Sequence, residues 1–403
     1  MRDAASRSWW FQFPAPLREL ASVRLVASFG AGGVLYLTPM VFHQADFSAS
    51  SVGAGLALAA LAGTLARFAS GALLDRGLSC GLPVLLAALS GFLGDALLLG
   101  AQQFPTYVAG QLLLGTAGGL YWPAVELAVP LCSPPISSAR GYALVRSGDA
   151  LGVAAGTLCG ALLASQGWLR GIYLVDMLAV LVLAWLLLAR PLPRAIRSPE
   201  RGQGQPLGRW WLPLLPMLGV SVVATAIPAL MQSALPLDLV RGGLARAAQP
   251  QAISALLIGV HLGLLTLIQW PVGRLLADRS VAVGLGLSLV CFGGGTLLLA
   301  LSALSHHGLW LVILAMLPLA LGEAAFLPTS TEAVVELSPE GHGGLAMALF
   351  SQCFAVSAFG APLLAGILLD SQGNGALLWL LVAVICALAL GLVGPIRRRA
   401  HPA

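Results

Sequence analysis

Apolar runs long enough to cross a bilayer recur from one end of this chain to the other. A hydrocarbon core about 30 Å thick takes about 20 residues of helix to span. We place twelve such runs in the 403 residues, at 20–43, 50–74, 81–101, 104–131, 140–165, 168–189, 211–236, 251–277, 280–304, 308–336, 342–369 and 374–395. Lipid offers no partner to backbone N–H and C=O groups, so each run must satisfy its own hydrogen bonds as an α-helix. The pattern predicts an all-α polytopic membrane protein and leaves no stretch for a soluble domain. Only 9% of the residues are charged, against about 25% in soluble domains.

The first run begins near Leu20, with Arg2, Arg7 and Arg18 before it and Arg24 in its first turns, and continues to about Phe42 without a small-residue cleavage site, so it reads as a retained anchor. All 21 basic residues are Arg. Without Lys there is no phosphate-binding Walker lysine and no Schiff-base amine, which excludes an ATP-driven subunit of that type and a retinal-style protein. The six cysteines are scattered through apolar runs in neither a metal-binding nor a disulfide pattern. We expect no cofactor and no metal. The Gly77-Leu-Ser79-Cys-Gly81 match to a nucleophile elbow lies between two membrane runs, where the strand, turn and helix that such an elbow requires cannot form.

If the runs alternate across the membrane, the N-terminal arginines, Arg76, Arg140, the 190–209 stretch, Arg279 and Arg397 to Arg399 share one side, and Arg170, Arg241 and Arg246 the other. Positive charge marks the cytoplasmic side, so both termini are expected inside the cell, with the chain in the plasma or inner membrane. The longest polar interval divides the chain into a six-helix half at 1–189, a cytoplasmic linker at 190–210 and a second six-helix half at 211–403.

The halves repeat one another. A glycine-to-Asp-Arg segment occurs as Gly71-Ala-Leu-Leu-Asp75-Arg76-Gly77 and as Gly273-Arg274-Leu-Leu-Ala-Asp278-Arg279, its aspartates 278 − 75 = 203 positions apart. Pro39 and Pro236 are separated by 197 positions, and Pro123 and Pro328 by 205. Three anchors near one offset point to duplication.

Twelve runs in two halves, a long central linker and G-x-L-x-D-R after runs 2 and 8 resemble the major facilitator superfamily over the whole chain. The Gly360-Ala-Pro362 and Gly366 pattern of run 11 is similar to a Gly-Pro element in helix 5 of many exporters of that superfamily. The first motif copy has Leu78-Ser79 where the family has a basic pair, and the second carries one extra residue before its Asp. The resemblance implies a gating role for Gly71, Asp75, Arg76, Gly77, Gly273, Asp278 and Arg279. Asp75 would face the positive N-terminal end of a helix of the other half, and Arg76 would pair with a carboxylate. It also implies that runs 1, 4, 7 and 10 line the substrate cavity, making Tyr36, Gln111, Tyr121, Trp122, Gln232 and Phe326 candidate contacts. Gln111 stands four residues before Gly115, where many proton-coupled drug exporters of the superfamily carry Arg.

An ionisable group near the bilayer centre costs on the order of 3 kcal/mol or more, so each one is a functional candidate. Run 4 sets Gln111, Gly115, Gly118, Trp122 and Glu126 on one helix face, and run 10 carries Glu323 near its middle with Phe326 and Ser330 beside it. Glu323 could bind a proton or a cationic group as access alternates, helped by Glu126 or His261, although a lone His fits a buried neutral imidazole better than a proton shuttle. Arg146 and Asp149, three apart at the start of run 5, are expected to form an ion pair near the cytoplasmic gate, on a face continued by Gly152, Gly156 and Gly160. Asp95 and Asp176 sit nearer the outer ends of runs 3 and 6 and receive no role.

These readings predict a secondary transporter moving a small organic solute by alternating access, proton-coupled and slightly favouring export. It should act as a monomer in the lipid bilayer, with no enzymatic activity and no nucleic-acid partner. An importer of a small metabolite or metal-chelate is the close alternative, and a membrane receptor the distant one.

Overall fold

A computed structural model describes residues 9–194, 209–276, 279–338 and 343–400. The helices are α1 (Ala15–Gln44), α2 (Ala49–Asp75), α3 (Gly81–Gly100), α4 (Phe104–Cys132), α5 (Ser138–Ser165), α6 (Gly171–Ala189), α7 (Leu215–Arg241), α8 (Gln251–Leu276), α9 (Val281–Ala303), α10 (Gly308–Leu337), α11 (Gly343–Gln372) and α12 (Ala376–Ala400). All twelve are long and apolar enough to cross a membrane. Among the described residues the only extended pairing is one bridge between Ser79 and Arg194.

The chain forms two compact units. One holds Met1–Leu35 and Leu58–Gly202, and the other holds Tyr36–Ala57 and Gln203–Ala403. The last residues of α1 and the first of α2 therefore belong with α7 to α12.

Helix α1 starts five residues before the expected boundary. Pro14 and Pro16 flank its first residue, where a missing N–H is harmless, and Leu17 and Leu20 are fully buried with Phe13 against Val84, Val125 and Leu187. Arg24 thus lies nine residues into α1 (24 − 15). Arg209–Leu214 forms a short 3₁₀ turn, so α7 starts at Leu215 rather than at 211.

The duplication shows in the helices. Pro39 and Pro236 both lie five residues from the ends of their helices (44 − 39 and 241 − 236), and Pro123 and Pro328 both lie nine from theirs (132 − 123 and 337 − 328).

Small residues set the closest helix approaches in the first unit. The α5 glycines meet α1: a Cβ on Gly152 would run into the Leu25 carbonyl and Ser28, and one on Gly156 into the Phe29 carbonyl. Gly115 and Gly119 of α4 lie as closely on Ala59 and Gly63 of α2. Without a hydrophobic driving force between helices in lipid, such van der Waals contact is what holds them together. At the far end of α3, Arg170 donates to the carbonyls of Leu98, Leu99 and Ala101 at 3.3, 2.8 and 2.8 Å, satisfying groups the helix leaves open.

In the second unit, Asp238 and Arg246 form a buried ion pair at 2.9 Å. The Asp238 carboxylate also accepts the Gly375 N–H and the Trp379 indole N–H at 3.1 and 3.0 Å, and Arg246 donates to Ser302 Oγ. One carboxylate thus ties the end of α7 to the end of α9 and the start of α12. The α2–α3 connection is also fixed: Ser79 Oγ donates to the Leu192 carbonyl and the Cys80 N–H to that of Pro193. Burial there pushes the Cys80 thiol up.

Replacing Gly156 with Leu should wedge α1 from α5 and cost about 1–3 kcal/mol, read as a lowered melting temperature of detergent-purified protein. Gly118, with open space around its Cα, should accept Ala without loss.

Candidate functional site

In the first unit, α1, α4 and α5 converge on one charge cluster. Arg24 is 4% exposed although it sits in an apolar helix. Its guanidinium stands 2.8 Å from Asp149 of α5, lies 3.7 Å above the Trp122 ring centre and is 5.2 Å from the Tyr121 ring. Ser28, one turn along α1, donates to Asp149 at 2.5 Å. Tyr121 and Trp122 meet edge to face. The cation thus receives a carboxylate at its edge and a π-face on its plane, a combination that offsets the desolvation of Arg.

This corrects the expected ion pair. Arg146 and Asp149 do not bridge: Asp149 takes Arg24, and the exposed Arg146 lies 5.9 Å from the Tyr142 ring. The physical reason is the glycine stripe, which brings α1 against α5 and delivers Arg24 to the carboxylate. Gln111 is buried, Trp122 is 40% exposed, and Glu126 is half-buried, its backbone carbonyl accepting the Tyr142 hydroxyl at 3.1 Å.

In the second unit, α8 and α10 bring His261 and Glu323 together, Nε2 to Oε2 at 3.7 Å. Nδ1 of His261 is 3.4 Å from the Met316 carbonyl. With Nδ1–H donating there, Nε2 turns a lone pair toward Glu323. Attraction then requires one more proton, on the carboxyl or on the ring. His261 is fully buried, and Glu323 sits at the middle of α10, flanked by the packed Ala320 and Ala324. Phe326 is 2% exposed, so it fills the core of this unit. Tyr36 is also buried, and Gln232 is half-buried.

A third arrangement lies where α2 begins. Asp370, near the end of α11, accepts the backbone N–H groups of Ala49 and Ser50 at 3.0 and 2.7 Å, and Arg241 of α7 lies 3.0 Å from the same carboxylate. A helix N-terminus presents free donors and partial positive charge, so the carboxylate caps it. Close contact continues along the helices, with Gly366 against Ala49 and Gly53 against the Pro362 carbonyl. Sequence reasoning missed this clasp, because Asp370 and Arg241 stood just beyond the edges of their apolar runs. Acidic and basic residues at helix ends on one membrane side were the available signal.

The gating-motif residues Asp75 and Arg76 end α2, exposed and without an ion pair among the described residues. Gly77 takes φ +79°, a left-handed conformation suited to glycine, and its N–H closes the helix on the Leu74 carbonyl. Gly71 and Gly273 are half-buried with open space at their Cα positions, and Arg279 is exposed. Asp278 lies outside the described residues.

Replacing Asp149 with Asn should leave the buried Arg24 uncompensated and lower stability by up to about 3 kcal/mol, Asp149 itself being partly exposed. Adding Arg24→Met should recover much of that loss in thermal unfolding. Melting of Asp149→Asn at the wild-type temperature would contradict the pairing.

The sequence matches the profile described as Major Facilitator Superfamily over residues 20–294. Comparison with curated proteins gave no match. Among solved structures, a POT family transporter in complex with 5-aminolevulinic acid is similar, with 13% identity, 95% of this chain and 97% of that chain covered, and a TM-score of 0.78. The peptide transporter POT in complex with sulfate shows 15% identity, 98% and 97% coverage and a TM-score of 0.77. The nucleoside transporter NupG shows 13% identity, 96% and 99% coverage and a TM-score of 0.76. Identities this low speak to fold alone, while the profile spans more than half of the sequence. This chain, a multi-pass membrane protein with twelve membrane-length helices among its described residues, belongs to the Major Facilitator Superfamily of transporters.

Proposed function

We propose that the protein is a secondary active transporter of a small organic solute, working by alternating access and driven by protons through Glu323 and His261. The single observation that carries this reading is the His261–Glu323 approach at 3.7 Å, at the middle of a membrane helix. A carboxyl and an imidazole at that separation attract only when they share at least one proton, so loading and release of that proton changes the force between α8 and α10.

The functional halves are 1–189 and 211–403, joined by the cytoplasmic linker 190–210, with both termini inside the cell in the plasma or inner membrane. Asp75 and Arg76 act as a gating pair on the cytoplasmic side, as do Asp278 and Arg279 in the second copy. The substrate contacts are Trp122, Tyr121 and Gln111 in the first unit and Tyr36 and Gln232 in the second. Glu126 assists coupling. An aromatic lining whose one buried guanidinium is already paired suits a moderately apolar organic solute. Export is the direction we favour, on the Gly360-Ala-Pro362 element, and the protein acts as a monomer.

Glu323→Gln keeps the shape of the carboxyl and removes its proton chemistry. In proteoliposomes, the variant should retain downhill solute exchange while its uptake stops responding to an imposed pH gradient, a loss of ten-fold or more in gradient-driven rate on the scale of about 1.4 kcal/mol per decade. A response equal to that of the wild type would remove Glu323 from the mechanism.

A further inference from the structure

Asp95 of α3 and Asp176 of α6 are 0% and 6% exposed, yet the mechanism above uses neither. Each sits five residues from the neighbouring end of its helix (100 − 95 and 176 − 171), at matching depths of about 7–8 Å. Helices α3 and α6 pack on each other, and the two carboxyls face one another across that contact. Gly30 of α1 closes the third side: a Cβ there would strike Asp176 Oδ1.

Neither oxygen of Asp95 has a hydrogen-bond donor, and neither aspartate has a cation partner among the described residues. The ionisable groups nearby are engaged elsewhere. Arg170, ahead of α6, donates to the carbonyls that end α3. Tyr173, one turn before Asp176, is fully buried, as is Tyr107 of α4. Arg24 of α1 and Asp149 of α5 hold each other.

Two ionised carboxylates enclosed together repel and lose their hydration, a state less stable than one that keeps a proton. The donor missing from this site is therefore a proton on one of the two acids. We propose that Asp95 and Asp176 form a proton-binding pair in which the O–H of one carboxyl donates to the carboxylate of the other. The pair carries a single negative charge between α1, α3 and α6, and forms a second proton site apart from His261 and Glu323.

Infrared spectroscopy of the purified protein tests this without any transport assay, so its outcome is separate from that of the coupling proposal. Aspartate labelled with heavy carbon in its side-chain carboxyl should shift a protonated-carboxyl C=O band present at neutral pH. That band should disappear in Asp95→Asn and in Asp176→Asn, where the amide donates to the remaining carboxylate. A wild-type spectrum with no aspartate-derived protonated band overturns the proposal, whether or not the variants fold. So does a band that persists in Asp95→Asn/Asp176→Asn, the double variant that leaves no charge at the site.

Discussion

The cost of taking an ionised group out of water governs how this chain arranges its few charges. Arg24 finds Asp149 and the Trp122 ring, Asp238 finds Arg246 and two N–H donors, and Asp370 finds Arg241 and the open end of α2. Each solution joins elements distant in sequence, so the polar pairs reinforce helix contacts that small residues make possible. Breaking one partner away leaves an uncompensated charge, which makes these pairs more sensitive to substitution than the apolar packing around them. His261 and Glu323 differ from these pairs, standing 3.7 Å apart, beyond hydrogen-bond distance.

The elements were legible in the sequence because lipid leaves the backbone no choice. Twelve apolar runs became twelve helices, with boundaries moved where local chemistry intervened, as at Pro14 and Leu17 ahead of α1 and in the 3₁₀ turn before α7. The duplication was legible too, and the matched proline positions in α1 and α7 and in α4 and α10 bear it out. Partners across helices were less legible. Periodicity placed Arg146 and Asp149 on one face and suggested that they pair, but spacing along a helix says nothing of a cation arriving from α1. Asp238 and Asp370 stood just past the ends of the runs at 211–236 and 342–369, where nothing in the sequence names a partner, and Asp95 and Asp176 carried no local sign that they would face each other.

Family membership and fold place the chain among transporters, while coupling rests on the physics of two side chains. Each unit contains a charge cluster that draws on helices the family likeness assigns to the cavity, α1 and α4 in one and α10 in the other, but the clusters differ in kind. The Arg24–Asp149 cluster is a satisfied ion pair with aromatic cover and suits a positioning role. The His261–Glu323 pair is loose, with His261 buried and Glu323 partly exposed near the middle of α10, and it is the pair to which we assign coupling. Assigning coupling to the second follows from that difference.

The most direct test of this account is solute flux in proteoliposomes holding the wild-type protein, compared with and without an imposed pH gradient across a broad panel of small organic solutes. The account predicts at least one solute whose flux accelerates with the gradient and stops when a protonophore collapses it. Flux that ignores the gradient for every solute moved, or no flux of any, would contradict it.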